Sequence, residues 1–148
     1  MDIETNTKIG LISRALMLLG EKPAEGEDDD RYGVTVGMDM FNLVYENELQ
    51  SNRWRFSVKK AQLARLSDTP RNQWLNAFQL PPDMLLPLHV YPMAPYEIYG
   101  DRIYTDQSAV DLDYVFKPEI EQLPAYFCAL MVAALARDMA KPISEDKD

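Results

Sequence analysis

Residues Asn52 to Lys60, NRWRFSVKK, are where the hydrophobic period of the chain changes. Before them Met38, Phe41, Tyr45 and Leu49 recur at helical spacing, which reads as an amphipathic helix from Val34 to Asn52. Within them Trp54, Phe56 and Val58 alternate with Arg53, Arg55, Ser57 and Lys59, the two-residue period of a strand. The polypeptide is therefore expected to leave a helical body here and enter a β-segment.

Upstream, TNTKIGLISRALMLLGE reads as a first helix. Thr5, Asn6 or Thr7 can cap it, and Gly20 is placed to end it in a left-handed turn. Ile9, Ile12, Leu16 and Leu19 make its apolar stripe, widened by Leu11, Ala15 and Leu18. The following KPAEGEDDDRYG carries Pro23, Gly26 and a run of acids, the composition of a solvated loop. It lacks the alternating Asp spacing and the closing Glu of a calcium loop.

Downstream, a polar turn around Asp68 to Asn72 leads into WLNAFQLPPDMLLPLHVYP. Here Pro81, Pro82, Pro87, Pro92 and Pro95 exclude helix and a central ladder position, leaving an edge segment or an extended arm. YEIYGDRIYT, Tyr96 to Thr105, predicts a hairpin with Gly100 and Asp101 as the central residues of a tight turn. Val110, Leu112, Tyr114 and Phe116 alternate with Asp111, Asp113, Val115 and Lys117, the clearest strand pattern in the chain. Helix signals return after Pro118, with Pro124 suited to a first turn and an apolar stretch through Met139 that should be the central, most buried helix. Ser144, followed at once by acids, looks like the cap of a further helix.

The expected fold is α+β: one domain over residues 1–148, a bundle of three helices at about 6–20, 34–52 and 119–140. A fourth helix is expected to be cut off at the C-terminus. A small antiparallel sheet or hairpin, at about 53–117, is inserted between helices 2 and 3.

With 24 acidic and 15 basic residues the net charge is -9, which argues against a protein that grips phosphates. The basic and aromatic mixture in NRWRFSVKK is accordingly read as a strand with its cations outward, not as a nucleic-acid stripe. MDIETNTK has no basic-then-apolar leader, so no signal peptide is expected. Ala125 to Ala136 is apolar but well short of the about 20 residues that span a bilayer, so no membrane association is expected.

The chemistry-bearing residues are few. The single cysteine, Cys128, lies inside an apolar run and reads as a small buried hydrophobe. His89 has no second histidine for a metal site and reads as a hydrogen-bonded strand residue. Asp111 and Asp113 share a strand face and could in principle form the acid/base pair of a glycan hydrolase, but an alternating acidic solvent face is the favoured reading, because nothing in the pattern desolvates either carboxylate. The isolated glycines build no phosphate loop. No catalytic residue, metal ligand or cofactor is predicted. The informative residues are the tyrosines, because Tyr91, Tyr96, Tyr99 and Tyr104 cannot all enter one small core, and such side chains are favoured at protein interfaces.

In order, ISRALMLLGEKP, the acidic loop, ENELQSNRWRF, FQLPPDML, YEIYGDRIYTD and VFKPEIEQLPAYFCALMVAALARDMAKPIS resemble the tail tubular protein A family, the head-to-tail adaptors of short-tailed bacteriophages. The resemblance covers almost the whole chain and rests on the ordered set, not on one motif. It departs beyond Ser144, where the family continues through another helix. It implies a structural virion protein, assembled in the host cytoplasm as a ring of about twelve copies between the portal protein and the tail nozzle protein. DNA would leave through the ring without sequence recognition. A head-completion or stopper protein at the same junction is the alternative the sequence separates least well.

Overall fold

The computed structural model describes residues 6–70 and 73–146. Met1 to Thr5, including the possible cap Thr5, Arg71 and Asn72 of the expected polar turn, and Lys147 and Asp148 lie outside the described residues. The chain divides into two compact units, one of residues 1–52 and 118–148 and one of Arg53–Lys117.

The first unit contains helices α1 (Lys8–Leu18), α2 (Tyr32–Ser51) and α3 (Ala125–Asp146). The Thr7 hydroxyl accepts from the Gly10 N–H at 3.0 Å and opens α1. At its other end Gly20, at φ 77°, lets the Glu21 N–H reach the Leu16 carbonyl (2.9 Å) and the Gly20 N–H reach that of Met17 (3.1 Å). These two bonds make the left-handed cap that satisfies the last carbonyls. The helix thus ends before its stripe does: Leu18 is exposed and Leu19 half-buried, while Leu11, Ile12 and Ala15 are fully enclosed.

Helix α3 packs against both others and buries Phe127, Met131, Leu135 and Met139. Its bounds correct the sequence reading at both ends. Residues Ile120–Gln122 form a separate 3-10 turn, and the α-helix starts after Pro124, whose carbonyl accepts from the Phe127 and Cys128 N–H groups. The residues expected to open a fourth helix are the last turns of α3, with Pro142 and Ser144 inside it. Proline removes one hydrogen bond, but Ile143 is buried beside Leu16 and Gly33, and that packing carries the helix onward.

Among the described residues the second unit holds six strands: β1 (Val58–Gln62), β2 (Asn76–Gln79), β3 (Met84–Tyr91), β4 (Tyr96–Tyr99), β5 (Arg102–Thr105) and β6 (Asp111–Phe116). They form two three-stranded antiparallel sheets, ordered β1-β6-β3 and β2-β5-β4. The single small sheet expected between helices 2 and 3 is therefore incorrect. Two signals misled the reading. Arg55–Ser57 is a 3-10 turn, because the buried Ser57 donates from both its amide and its hydroxyl to the Trp54 carbonyl, at 3.1 Å each. Alternation in WRFSV thus reports a turn, and the strand begins at Val58. Asn76–Gln79 was missed because three of its four residues are buried in succession, which erases the alternation.

Pro87 lies in β3, an edge strand with two irregularities in its pairing, where a missing N–H is tolerated. Leu63, Phe78, Leu80, Val90, Ile103, Val110, Leu112 and Tyr114 form the core of this unit, drawing side chains from both sheets.

Candidate interaction site: an aromatic groove on the hairpin

The hairpin pairs Tyr96 with Thr105, Ile98 with Ile103 and Tyr99 with Arg102, leaving Gly100 and Asp101 as a two-residue turn. Gly100 has φ 60° and Asp101 has no positive φ, the signs of a type II′ turn. Gln79 on the neighbouring β2 donates to the Asp101 carbonyl at 2.9 Å and to its carboxylate at 3.0 Å, tying the turn to the sheet.

Strand alternation then sorts the aromatics. Ile98, Ile103 and Phe78 point into the core, whereas Glu97, Tyr99, Arg102 and Tyr104 share the opposite face with Ala77 of β2. The Tyr99 and Tyr104 rings meet edge to face, with centroids 5.9 Å apart. Trp74, Thr69 and Pro70 come from the segment before β2 and complete a groove of about 400 Å³ over the buried Ala77. Arg102 and Asp68 line it too, with Nη1 and Oδ2 3.6 Å apart. The Tyr99 hydroxyl donates to the Glu97 carboxylate, whose other oxygen accepts from Gln73 Nε2 at 3.1 Å. That hydrogen bond, and the negative charge behind it, push the Tyr99 phenol above its ordinary value.

Of the four tyrosines named from the sequence, Tyr99 is the most exposed at 60%, Tyr96 is at 43%, Tyr91 at 37%, and Tyr104 is half-buried. The groove brings together Tyr99 and Tyr104 only. Tyr96 shares the core-facing register of Ile98, opposite Thr105. Tyr91 ends β3 in the other sheet, its ring 4.6 Å beneath the Lys60 ammonium. Sequence reasoning missed Trp74, Pro70, Asp68 and Arg102. Arg102 was within reach, because a two-residue turn places it directly opposite Tyr99. The other three come from a non-adjacent segment and leave no such signal.

No family model and no curated protein matches this chain.

The carboxylates considered for glycan hydrolysis lie on β6 in the other sheet. Asp113 Oδ1 is 3.7 Å from Lys60 Nζ, and Asp111 is exposed beside Tyr91. Asp83 accepts from Tyr114 at 3.0 Å and from Lys59 at 3.1 Å, while Lys59 also lies 4.0 Å over the Phe116 ring. Burial raises the Asp83 carboxyl, but these two donors outweigh it and leave the group lowered; burial and the same bond push Tyr114 up to about 12. His89 is exposed on β3, 6.2 Å from Tyr91. Cys128 is buried, and burial raises its thiol, so it is placed for packing and not for nucleophilic attack. Among the described residues no group of three or more metal-binding side chains converges, and no helix is long and apolar enough to cross a membrane.

Proposed function

We propose that this chain is a structural assembly subunit whose hairpin face docks other proteins, and that its place is the head-to-tail junction of a short-tailed bacteriophage virion. There it would be an adaptor in a ring between portal and nozzle. The observation that carries the docking role is the aromatic groove: Trp74, Tyr99, Tyr104 and Pro70 line a concave surface with a single opposed charge pair. Amphipathic rings around a partly desolvated hollow are the composition of interface hot spots. The ordered resemblance of the segments to tail tubular adaptors supports the location. A net charge of -9 suits a wall along which DNA passes without adhering.

The test replaces Tyr99 by serine. Its side chain is 60% exposed and its removal opens no core cavity, so circular dichroism should show a folded chain. Pull-down with assembled portal rings and with nozzle protein should then show weakening of about tenfold or more for the partner that uses the groove. A folded variant that retains full affinity for both removes the groove from the adaptor's contacts.

A further inference from the structure

We propose that the groove on the hairpin face receives an arginine side chain from a segment of a different protein. This rests on reading the hairpin face as a docking surface and gives the chemistry of its partner.

Trp74, Tyr99 and Tyr104 wall a hollow of about 400 Å³, with the two tyrosine rings edge to face at a centroid separation of 5.9 Å. Aromatic faces carry partial negative charge and attract a cation laid over them. The polar groups between these walls are set to accept hydrogen bonds. The Tyr99 hydroxyl commits its proton to the half-buried Glu97 carboxylate, so any further bond to its oxygen must come from a donor. Asp68 lines the groove with a side chain that is 72% exposed. Its Oδ2 stands 3.6 Å from Arg102 Nη1, beyond hydrogen-bond distance, so the carboxylate retains capacity for a donor arriving from outside.

Charge selects the sign of the occupant. Gln79 holds the Asp101 carboxylate beside the same face at 3.0 Å. Among the described residues around the groove, the carboxylates of Asp68, Glu97 and Asp101 outnumber the guanidinium of Arg102. A field of that sign draws a basic segment and turns away an acidic one, and a second copy of this chain, at -9, is acidic. Arginine meets the rings and the carboxylate together. Its guanidinium is planar and weakly hydrated, lies flat on an aromatic face, and presents a fork of N–H donors that matches a carboxylate. Lysine brings a compact, strongly hydrated charge that is harder to strip of water between rings, and a quaternary ammonium has no donor for Asp68.

The experiment titrates a capped Gly-Arg-Gly peptide into the isotope-labelled full chain and follows amide and indole shifts by NMR. Shifts should concentrate at Ala77, Tyr99, Arg102, Tyr104 and the Trp74 indole N–H. A peptide with citrulline, the same shape without the charge, should bind at least about tenfold more weakly, and one with lysine at least about threefold more weakly. An absence of groove shifts at millimolar arginine peptide overturns the proposal, and so does equal binding of the citrulline or the lysine peptide. Two substitutions give the second arm. Asp68→Asn, at an exposed position, should weaken the arginine peptide, and Arg102→Gln, which removes the groove's own competing cation, should tighten it. Changes of the same sign overturn the assignment, because a loss of local structure would move both alike. Portal and nozzle pull-downs report separately on the docking reading. If they respond to Tyr99→Ser while the arginine peptide leaves the groove unchanged, docking stands and this inference falls. If the peptide binds as described and Tyr99→Ser leaves both captures at full strength, the docking reading falls, and with it those two proteins as the source of the arginine.

Discussion

Gly37 on α2 is the position at which a single methyl group would be felt by all three helices. A Cβ built there lies 2.5 Å from Ile12 Cγ2 on α1 and 3.2 Å from Met139 Cε on α3. Met139 can swing its flexible end away, but Ile12 is fully enclosed and, being β-branched, has one strongly favoured helical rotamer. Two effects compete in Gly37→Ala. Alanine favours the helix by about 1 kcal/mol over glycine, while forcing an extra carbon into a packed core costs about 1 to 3 kcal/mol. The steric effect should win, and thermal unfolding should show a lower melting temperature. A higher one, as propensity alone would give, would place α1 and α2 further apart than described. Tyr45 marks the opposite case, a polar group that is buried and satisfied: its hydroxyl donates to the Pro118 carbonyl at 2.6 Å, and burial pushes its phenol well above the ordinary value.

Between α1 and α2, the acidic stretch is a stapled loop. Asp29 accepts from the Glu25 N–H and from the Arg31 backbone and side chain, while Arg31 also donates to the Lys22 and Pro23 carbonyls. Led by the Arg31 side-chain hydrogen bond, these donors lower Asp29 from 3.8 to about 2. A lowered carboxyl stabilises the fold above its unfolded value, so this contribution is complete at neutral pH and is lost as acid takes the pH from about 4 towards 2. Carboxyl NMR titration should find the Asp29 midpoint near 2, and Arg31→Gln should move it towards 3.8; an unmoved midpoint would remove Arg31 as the cause. In the hairpin, Gly100→Val meets the cost of φ 60°, on the order of 1 kcal/mol, with open space around the new side chain. Amide shifts along Tyr96–Thr105 should change, and an unchanged spectrum and melting curve would contradict the turn. These elements differ in how legible they were. The hairpin and the helices followed from turn chemistry and period, and Thr7 and Gly20 act as the caps they resemble. The second sheet was hidden because β2 is buried on consecutive residues and β1 is preceded by a turn with the rhythm of a strand. Half of the groove was hidden for a different reason: Trp74 and Asp68 meet Tyr99 only through pairing between β2 and β5, which no local pattern specifies.

At the scale of the whole molecule, the helical unit is made from two stretches of chain separated by the β unit, Arg53–Lys117. While the β unit is unfolded, bringing α3 onto α2 means closing a loop of about 65 residues. In the folded β unit β1 lies antiparallel to β6, with Val58 opposite Val115, so chain enters and leaves side by side. The connection left to close is then residues 52–57 and 117–124, fourteen in all. Closure entropy grows with the logarithm of length, which makes the difference worth roughly 1.4 kcal/mol to the helices. An unfolded β unit, as Leu112→Asp should produce at a fully buried position, is expected to lower amide exchange protection in α2 and α3 by about tenfold. Unaltered protection would mean that the helices close without help. The β1–β6 pair thus acts as a clasp: once it closes, two stretches of the bundle that lie far apart along the chain are joined by a short connection.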